Sequence, residues 1–576
     1  MTCLGLSRAD EPAQAELDWV RKNALQLDGC EAGKGFKDLA PLRKLIGDAR
    51  IVSLGEGTHG TREFFQMKHR LTEFLASEMG FTIFSIEANL PEAYRLNDFV
   101  LEGKGDPREL IAGMYFWTWN TEEVLDLVLW MREFNRTGKG RIEFTGFDMQ
   151  THKVAAAIAR GFLEKADPEL AKKAGDVYAR MERIRGSGGG GGSFGVATGQ
   201  LPVDPAKGKK LRYRGWLRTE GVTRGWAGLW ARVDGEKGIL AFDNMQDRGV
   251  KGTTDWKEHE IVLTVPEAAV NINFGAILTG DGRAWFDELS VDLDEKPYEG
   301  APALDLDFEG GAIKAFRTGG DGYVVRIDDQ VARSGAKSLR IGHQEAATPG
   351  AAGEIDGSEA SRLCREVLER MTASRDAYAK ASSEKETDWA IQNARVVLQC
   401  AQMHANEVTR DESMARNVQW ILDRAPAGTK IVLWAHNGHV ARNRSYGKGA
   451  MGWFLDQWYG KEQVVLGFAA GEGKYTAMVQ GKGLHSDNPL QPPQPRSFEE
   501  YFRKSSLSSF ILDLRPSSKE DPASAWARRL RPFRSIGALA MKSQFFPADA
   551  CAHYDALIYF DRTSASRPLK ENPPAK

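Results

Sequence analysis

Residues 51–60 read Ile-Val-Ser-Leu-Gly-Glu-Gly-Thr-His-Gly, and this stretch leaves the chain few ways to fold. Ile51 to Leu54 form a short apolar strand. Glycines at 55, 57 and 60 break it, and helical spacing begins near Thr61. A strand that stops at a glycine-rich turn and opens into a helix belongs to an α/β sheet. Such sheets present ligand-binding groups at the carboxyl ends of their strands. The glycines permit φ > 0 and a close approach of the backbone. Glu56 and His59 lie three residues apart on the turn, where the carboxylate can fix the tautomer and orientation of the imidazole for acid–base work. Taken alone, the stretch reads equally well as a turn with a capping Glu and a surface His.

A second stretch decides between these readings. Residues 431–440, Ile-Val-Leu-Trp-Ala-His-Asn-Gly-His-Val, repeat the pattern of a short apolar strand followed by His436 and His439. The chain has only ten histidines, so three of them at the ends of two buried strands is a concentration. A third strand, residues 82–86, ends in Glu87. Strands of one parallel sheet bring their carboxyl ends to one edge. Glu56, His59, Glu87, His436 and His439 are therefore expected to converge.

Five segments carry a family resemblance. They are Leu54-Gly-Glu-Gly-Thr-His-Gly-Thr-Arg-Glu-Phe64, Ser85-Ile-Glu87, Gly146-Phe-Asp148, Arg410-Asp-Glu-Ser-Met-Ala-Arg-Asn417 and Ala435-His-Asn-Gly-His439. In this order they resemble the erythromycin esterase family, over residues 15 to 185 and 357 to 565. The resemblance implies hydrolysis of a macrolactone ester. It also implies a basic residue at the site from the helix after Thr61. Lys68 stands where some members carry Arg, and a Lys cannot copy a bidentate Arg contact.

The expected chemistry is activation of water. His59 acts as general base, Glu56 or Glu87 orients it, and His436 and His439 polarise a carbonyl or stabilise the oxyanion. No Gly-x-Ser-x-Gly elbow stands at a strand end, so no serine nucleophile is expected. The same three imidazoles and two carboxylates would suit Zn²⁺ or Fe²⁺. His436 and His439 sit on a turn rather than on a His-Glu-x-x-His helix, so the expectation is that no metal is required. Lys68, Glu63, Trp117 and Asp148 are the substrate-binding candidates. Glu63 suits the positive end of its helix. Asp148 ends the strand 142–147. Trp117 and Trp119 read first as core or rim packing.

The 576 residues suffice for two or three domains. A formal net charge of −2 gives no electrostatic case for nucleic acid or an anionic membrane. No apolar run reaches transmembrane length. The five cysteines have neither metal-type spacing nor a disulfide framework, and Cys364 and Cys400 read as core. Residues 1–14 read as a disordered start or as the remnant of a secretory signal. Ser7-Arg8-Ala9 has the small-x-small cleavage form that favours an extracytoplasmic location.

The expected fold is α/β, with a parallel-rich sheet, flanking helices and a long helical region, interrupted by an all-β domain. Residues 15–185 form its first part and 357–565 its second, with a tail from 566. Between them, residues 186–356 open on a glycine linker, 186–193, and continue as short strands over 210–218, 228–233, 259–265, 269–278 and 283–291. This segment resembles the jelly-roll modules of carbohydrate-binding proteins. Segments 304–309 and 334–341 look like its opening strands displaced to its end, a circular permutation. Most of its tryptophans (216, 226, 230, 256, 285) are expected in the core, with a glycan ligand as the alternative. Glu309 and Asp287 are candidates for a structural Ca²⁺. The helix opening at Arg410 is expected to carry solvated charge on its outer face. Three function classes remain: an ester hydrolase, a ligand-binding protein of the same fold without turnover, and a polysaccharide-associated envelope protein.

Overall fold

The structure, a computed structural model, describes residues 12–181, 194–235, 238–311, 313, 316–319, 323–343, 357–445, 448–479 and 483–569. The first eleven residues and the linker 186–193 lie outside these. The chain divides into two compact units, Met1–Ala179 with Gly357–Lys576, and Arg180–Asp356.

The first unit is built on a nine-stranded sheet. Six strands at its centre are parallel, in the order Ala556–Thr563, Gln463–Val479, Ile51–Leu54, Ile431–Trp434, Ile83–Asn89 and Glu143–Asp148. Antiparallel strands finish it: Ser509–Asp513 and then Ala24–Gln26 beyond Ala556, and Gly483–Leu490 on the far half of Gln463–Val479. Ile51–Leu54 and Ile431–Trp434 are wholly buried and pair residue for residue. Strands covered on both faces need near-continuous apolar runs, which both stretches supply. One core cluster holds Val52, Leu54, Phe84 and Trp434, and another holds Ile51, Leu433 and Val465. Residues that alternate along a strand thus fill opposite faces of the sheet.

The helix after the first turn runs Arg62–Met79, with Phe64, Met67, Leu71, Phe74 and Leu75 buried. Helical periodicity over 358–407 resolves into three helices, Gly357–Ala373, Arg375–Ala381 and Glu384–His404. Cys364 and Cys400 are buried within them. The first helix, Gln14–Asn23, stops where Ala24–Gln26 pairs with Ser509–Asp513 as an edge strand. One expectation is corrected. The expected tail does not begin at 566: Leu569 packs in the core and its N–H donates to the Asn120 carbonyl.

The second unit is a ten-stranded antiparallel sheet around Lys210–Gly235. That single strand spans both 210–218 and 228–233, with register shifts between Leu217 and Ala227 where it bends. The sheet nearly closes on itself: Gly195, near one end, lies against Tyr323 and Ile341 at the other, too close for a Cβ. Segment 304–309 is not an opening strand; it follows a 3₁₀ turn, Ala301–Leu304, with Asp305 and Phe308 at positive φ. The core cluster is Leu, Val, Ile, Phe and Ala with Tyr213 and Met245. Trp285 is buried, and Trp216, Trp226, Trp230 and Trp256 are half-buried. Their expected place in the core is thus corrected: a sheet face this rich in β-branched and small residues fills without them. Asp287 accepts from the N–H groups of Glu288, Arg333 and Ser334, and Glu309 from those of Ala336 and Lys337. Both acids cap one loop.

Candidate active site

Glu56, Glu87, Asp148 and His436 follow or end neighbouring parallel strands, so the sheet delivers them to one edge. None of Gly55, Gly57 and Gly60 has positive φ. They are required by contact instead. A Cβ at Gly60 would meet the Thr476 carbonyl oxygen at 1.9 Å, and one at Gly55 the Asn437 side chain at 2.2 Å. The turn after Ile51–Leu54 is therefore pressed between the next strand and the turn after Ile431–Trp434. Asn437 binds both ways to the Phe468 backbone, and its N–H donates to the Glu56 carbonyl.

Glu56 is fully buried and has three partners. Its Oε1 lies 2.6 Å from His59 Nδ1. Its Oε2 accepts from Lys68 Nζ at 2.6 Å and from the Trp434 indole at 2.9 Å. A buried carboxylate needs this compensation. Lys68 is itself wholly buried, with Nζ 4.5 Å from the Trp434 ring centroid. Burial brings its pKa down to about 8 against the opposing pull of Glu56. The Lys68 ammonium is the counter-ion of Glu56 and makes no other side-chain hydrogen bond among the described residues. His59 uses Nδ1 on Glu56, and its Nε2 has no partner among the described residues. Its ring lies 5.9 Å from Trp119, edge to face, and 5.0 Å from His436.

The opposite side is organised by Arg410. Its Nη2 donates at 2.7 Å to both Glu87 and Asp148, its Nε to Asp148 at 3.0 Å, and its Nη1 lies 3.1 Å from His439 Nε2. Burial would raise the Glu87 carboxyl, but His439, Arg410 and His59 outweigh it and hold Glu87 well below the usual carboxylate range. Asp411 accepts at 2.8 Å from His439 Nδ1. Burial lowers the His439 pKa, yet Glu87 and Asp411 more than reverse this, and it ends above the ordinary histidine value. His436 is different. Its Nδ1 accepts from the Gly438 N–H at 3.1 Å, and its Nε2 reaches the Ile536 carbonyl at 3.2 Å, which makes Nε2 the protonated nitrogen. Burial first, and then the neighbouring imidazoles, push its pKa well below the ordinary value, so the ring is neutral.

All five expected catalytic side chains therefore gather. The second-rank candidates divide. Asp148 is in the site but is committed to Arg410. Lys68 is in the site as a buried counter-ion. Glu63 binds the Ser564 backbone N–H and hydroxyl with its two oxygens, at 2.7 and 2.6 Å, and serves the packing of the chain's end. Trp117 packs half-buried against the core, whereas Trp119 stands beside His59 with its indole N–H on the Glu87 carbonyl at 2.8 Å. Arg410 and Asp411 were missed as site residues. They open the helix Arg410–Asp423 and face inward, not outward as solvated charge. Their signal was the Arg-Asp-Glu motif itself, since charge at a helix start usually reads as capping. Among the described residues, no group of three or more His, Cys, Asp or Glu is arranged to hold a metal ion. The lone pairs of Glu56, Glu87 and Asp148 are taken by Lys, Arg, indole and N–H donors.

The fold of the chain matches that of known proteins. A crystal structure of a Bacillus cereus protein superposes with a TM-score of 0.60 at 18% identity, over 97% of this chain and 100% of that one. Among curated proteins, erythromycin esterase type II of Escherichia coli is 30% identical over 174 residues, 29% of this chain and 40% of the relative. YbfO of Bacillus subtilis (strain 168), provisionally named a hydrolase, is 31% identical over 179 residues, 30% of this chain and 39% of the relative. The chain thus spans about two fifths of the length of the curated relatives it matches. The erythromycin esterase family model matches residues 76–198 and 324–563, more than half of the chain, including Glu87, Asp148, Arg410 and both histidines of the second turn. On that match and the sheet beneath it, the chain belongs to the erythromycin esterase family.

Proposed function

We propose that the first unit hydrolyses a carboxylic ester or lactone by activating water at His59. The observation that carries this is the Glu56–His59 pair: the carboxylate holds Nδ1, and Nε2 has no partner among the described residues. A neutral imidazole held in one tautomer can take a proton from water as the oxygen attacks the ester carbonyl. Lys68 and Trp434 fix Glu56 in place, so the pair needs no reorganisation during the reaction. Arg410 and His439 supply the N–H donors on the opposite side, for the charge that develops on the ester oxygens. No step of this reaction calls on a metal, and the carboxylates already carry other partners. The similarity to erythromycin esterase type II supports a small-molecule ester or lactone as substrate, and a macrolactone as the first one to try.

Ester hydrolysis by the full chain tests this on macrolactones and simple aryl esters, with wild type and His59→Ala, with and without chelator. Loss in the variant alone is the expected result. Loss on chelation of the wild type moves the chemistry to a metal. A folded wild type with no turnover on any ester favours a binding protein of the same fold.

A second reading concerns the other unit. Trp216, Trp226, Trp230 and Trp256 are half-buried on a sheet, where ring faces can stack on sugars. A glycan array probed with the full chain tests it, and silence there removes the polysaccharide-associated reading.

A further inference from the structure

The site holds a second carboxylate–imidazole pair that water activation does not use. Asp411 Oδ1 takes His439 Nδ1 at 2.8 Å and, on the same oxygen, the Met451 N–H at 2.9 Å. Met451 opens the helix Met451–Tyr459, and Asp411 sits in the first turn of Arg410–Asp423, where the Thr409 side chain caps the Glu412 N–H. Two helix starts thus fix one carboxylate oxygen, and that oxygen fixes the ring. The opposite nitrogen, Nε2, lies between Arg410 Nη1 at 3.1 Å and Glu87 Oε1 at 3.5 Å. Both His439 and Arg410 keep roughly a fifth to a quarter of their side-chain surface open, at 22% and 24%. The charged and titratable groups facing the ring are Asp411, Glu87 and Arg410, with the neutral His436 at a centroid distance of 6.5 Å.

We propose that Asp411 is a positioning residue: it holds the Nδ1 proton of His439, so that Nε2 can deliver a proton to the alkoxide that leaves the ester. The role rests on the hydrolase reading above. The balance is simple. His59 Nε2 takes one proton of water while the water oxygen bonds to the carbonyl carbon. The tetrahedral intermediate collapses, and the bond to the alcohol oxygen breaks with its electron pair on that oxygen. The Nε2 proton of His439 goes to it. His59 then returns one proton to solvent and His439 takes one back, leaving acid and alcohol from ester and water. His439 suits the task because two carboxylates favour its protonated form, whereas both ring nitrogens of His436 are engaged by the backbone.

The test uses the full chain with Asp411→Asn and Asp411→Glu, on an ethyl ester and a nitrophenyl ester of the same acid. An ethoxide must be protonated to leave, whereas nitrophenolate leaves unaided. Asp411→Asn is expected to lower kcat/KM about 10²-fold on the ethyl ester and less than about tenfold on the nitrophenyl ester, with partial rescue by Glu. NMR titration is expected to show His439 losing its proton at lower pH in Asp411→Asn. Equal losses on the two esters, or an unmoved His439 titration, overturn the proposal. No turnover of either ester by the wild type, with the His439 titration shifted in Asp411→Asn, marks failure of the hydrolase reading and removes the acid role with it. No turnover with an unmoved titration shows that Asp411 does not hold the ring either.

Discussion

The turns after Ile51–Leu54 and after Ile431–Trp434 look alike in sequence and do different things. Each follows a buried central strand, and the strands pair in register, so the turns lie side by side. The first presents His59 with one nitrogen held and the other without a partner among the described residues. The second presents His436 with both nitrogens held and His439 tied to Asp411. A strand-end histidine is therefore not a base by position. What decides is the partner of its second nitrogen. The largest effect should come from breaking the first turn's asymmetry: His59→Gln should cost ~10²–10⁴ in kcat/KM for ester hydrolysis. Its urea midpoint should stay near wild type. A midpoint collapse would show that His59 holds the fold together and would undo the contrast.

The two turns also differ in what backs them. Behind His59, Glu56 is balanced by one buried ammonium. Lys68→Met should leave an uncompensated buried carboxylate and cost ~3–5 kcal/mol in urea unfolding. Glu56→Gln added to it should recover much of that loss, since it removes the orphaned charge. An additive double variant would mean that the two groups do not interact as the 2.6 Å contact implies. Behind the second turn, Glu87 is held ionised by His439, Arg410 and His59 despite its burial. Its folded pKa lies below the unfolded value of about 4.3, so the unfolded chain binds the proton first. The stabilisation is thus complete above that value and drains away as the pH falls below it. Wild type should lose stability on acidification more steeply than Glu87→Gln, by upward of ~1 kcal/mol between pH 5 and 3. Parallel curves would remove Glu87 from the acid response.

The site was legible where strand and chemistry coincide. Ile51–Leu54 and Ile431–Trp434 are short, apolar and followed by glycine or His, so their burial and the meeting of Glu56, Glu87 and the histidines could be read from spacing. What spacing does not carry is the partner. Lys68 reads as one more basic residue on a helix. Only the fold shows that it lies six residues into the helix, on the face turned to Glu56. Arg410 sits more than 250 residues from Asp148, and no local pattern links them. The edge strand Ala24–Gln26 was hidden for the same reason: three residues with helical neighbours become a strand only because Ser509–Asp513 lies beside them. In the second unit, the density of tryptophans suggested a core, but burial on a sheet follows the alternation of inward positions, and most of these residues fall on half-exposed ones.

The smallest expected effect separates the two turns on stability alone. His436 is the residue before the short helix Asn437–Val440, and its Nδ1 caps that helix at the Gly438 N–H. Its other nitrogen ties this turn to Ile536, whose own N–H donates to the Gly57 carbonyl of the first turn. His436→Asn keeps an acceptor that can cap Gly438, because Asn is a favoured residue at that position. It loses the bond to Ile536 and leaves that carbonyl without its His436 donor. The expected cost is ~1 kcal/mol, as for one buried hydrogen bond, read as a lower urea midpoint with an unchanged slope. His59→Gln should lose less, since its side-chain amide can still donate to Glu56. If the two variants lose the same stability, His59 is as much a part of the scaffold as His436, and the asymmetry between the turns is not the source of the site's basicity.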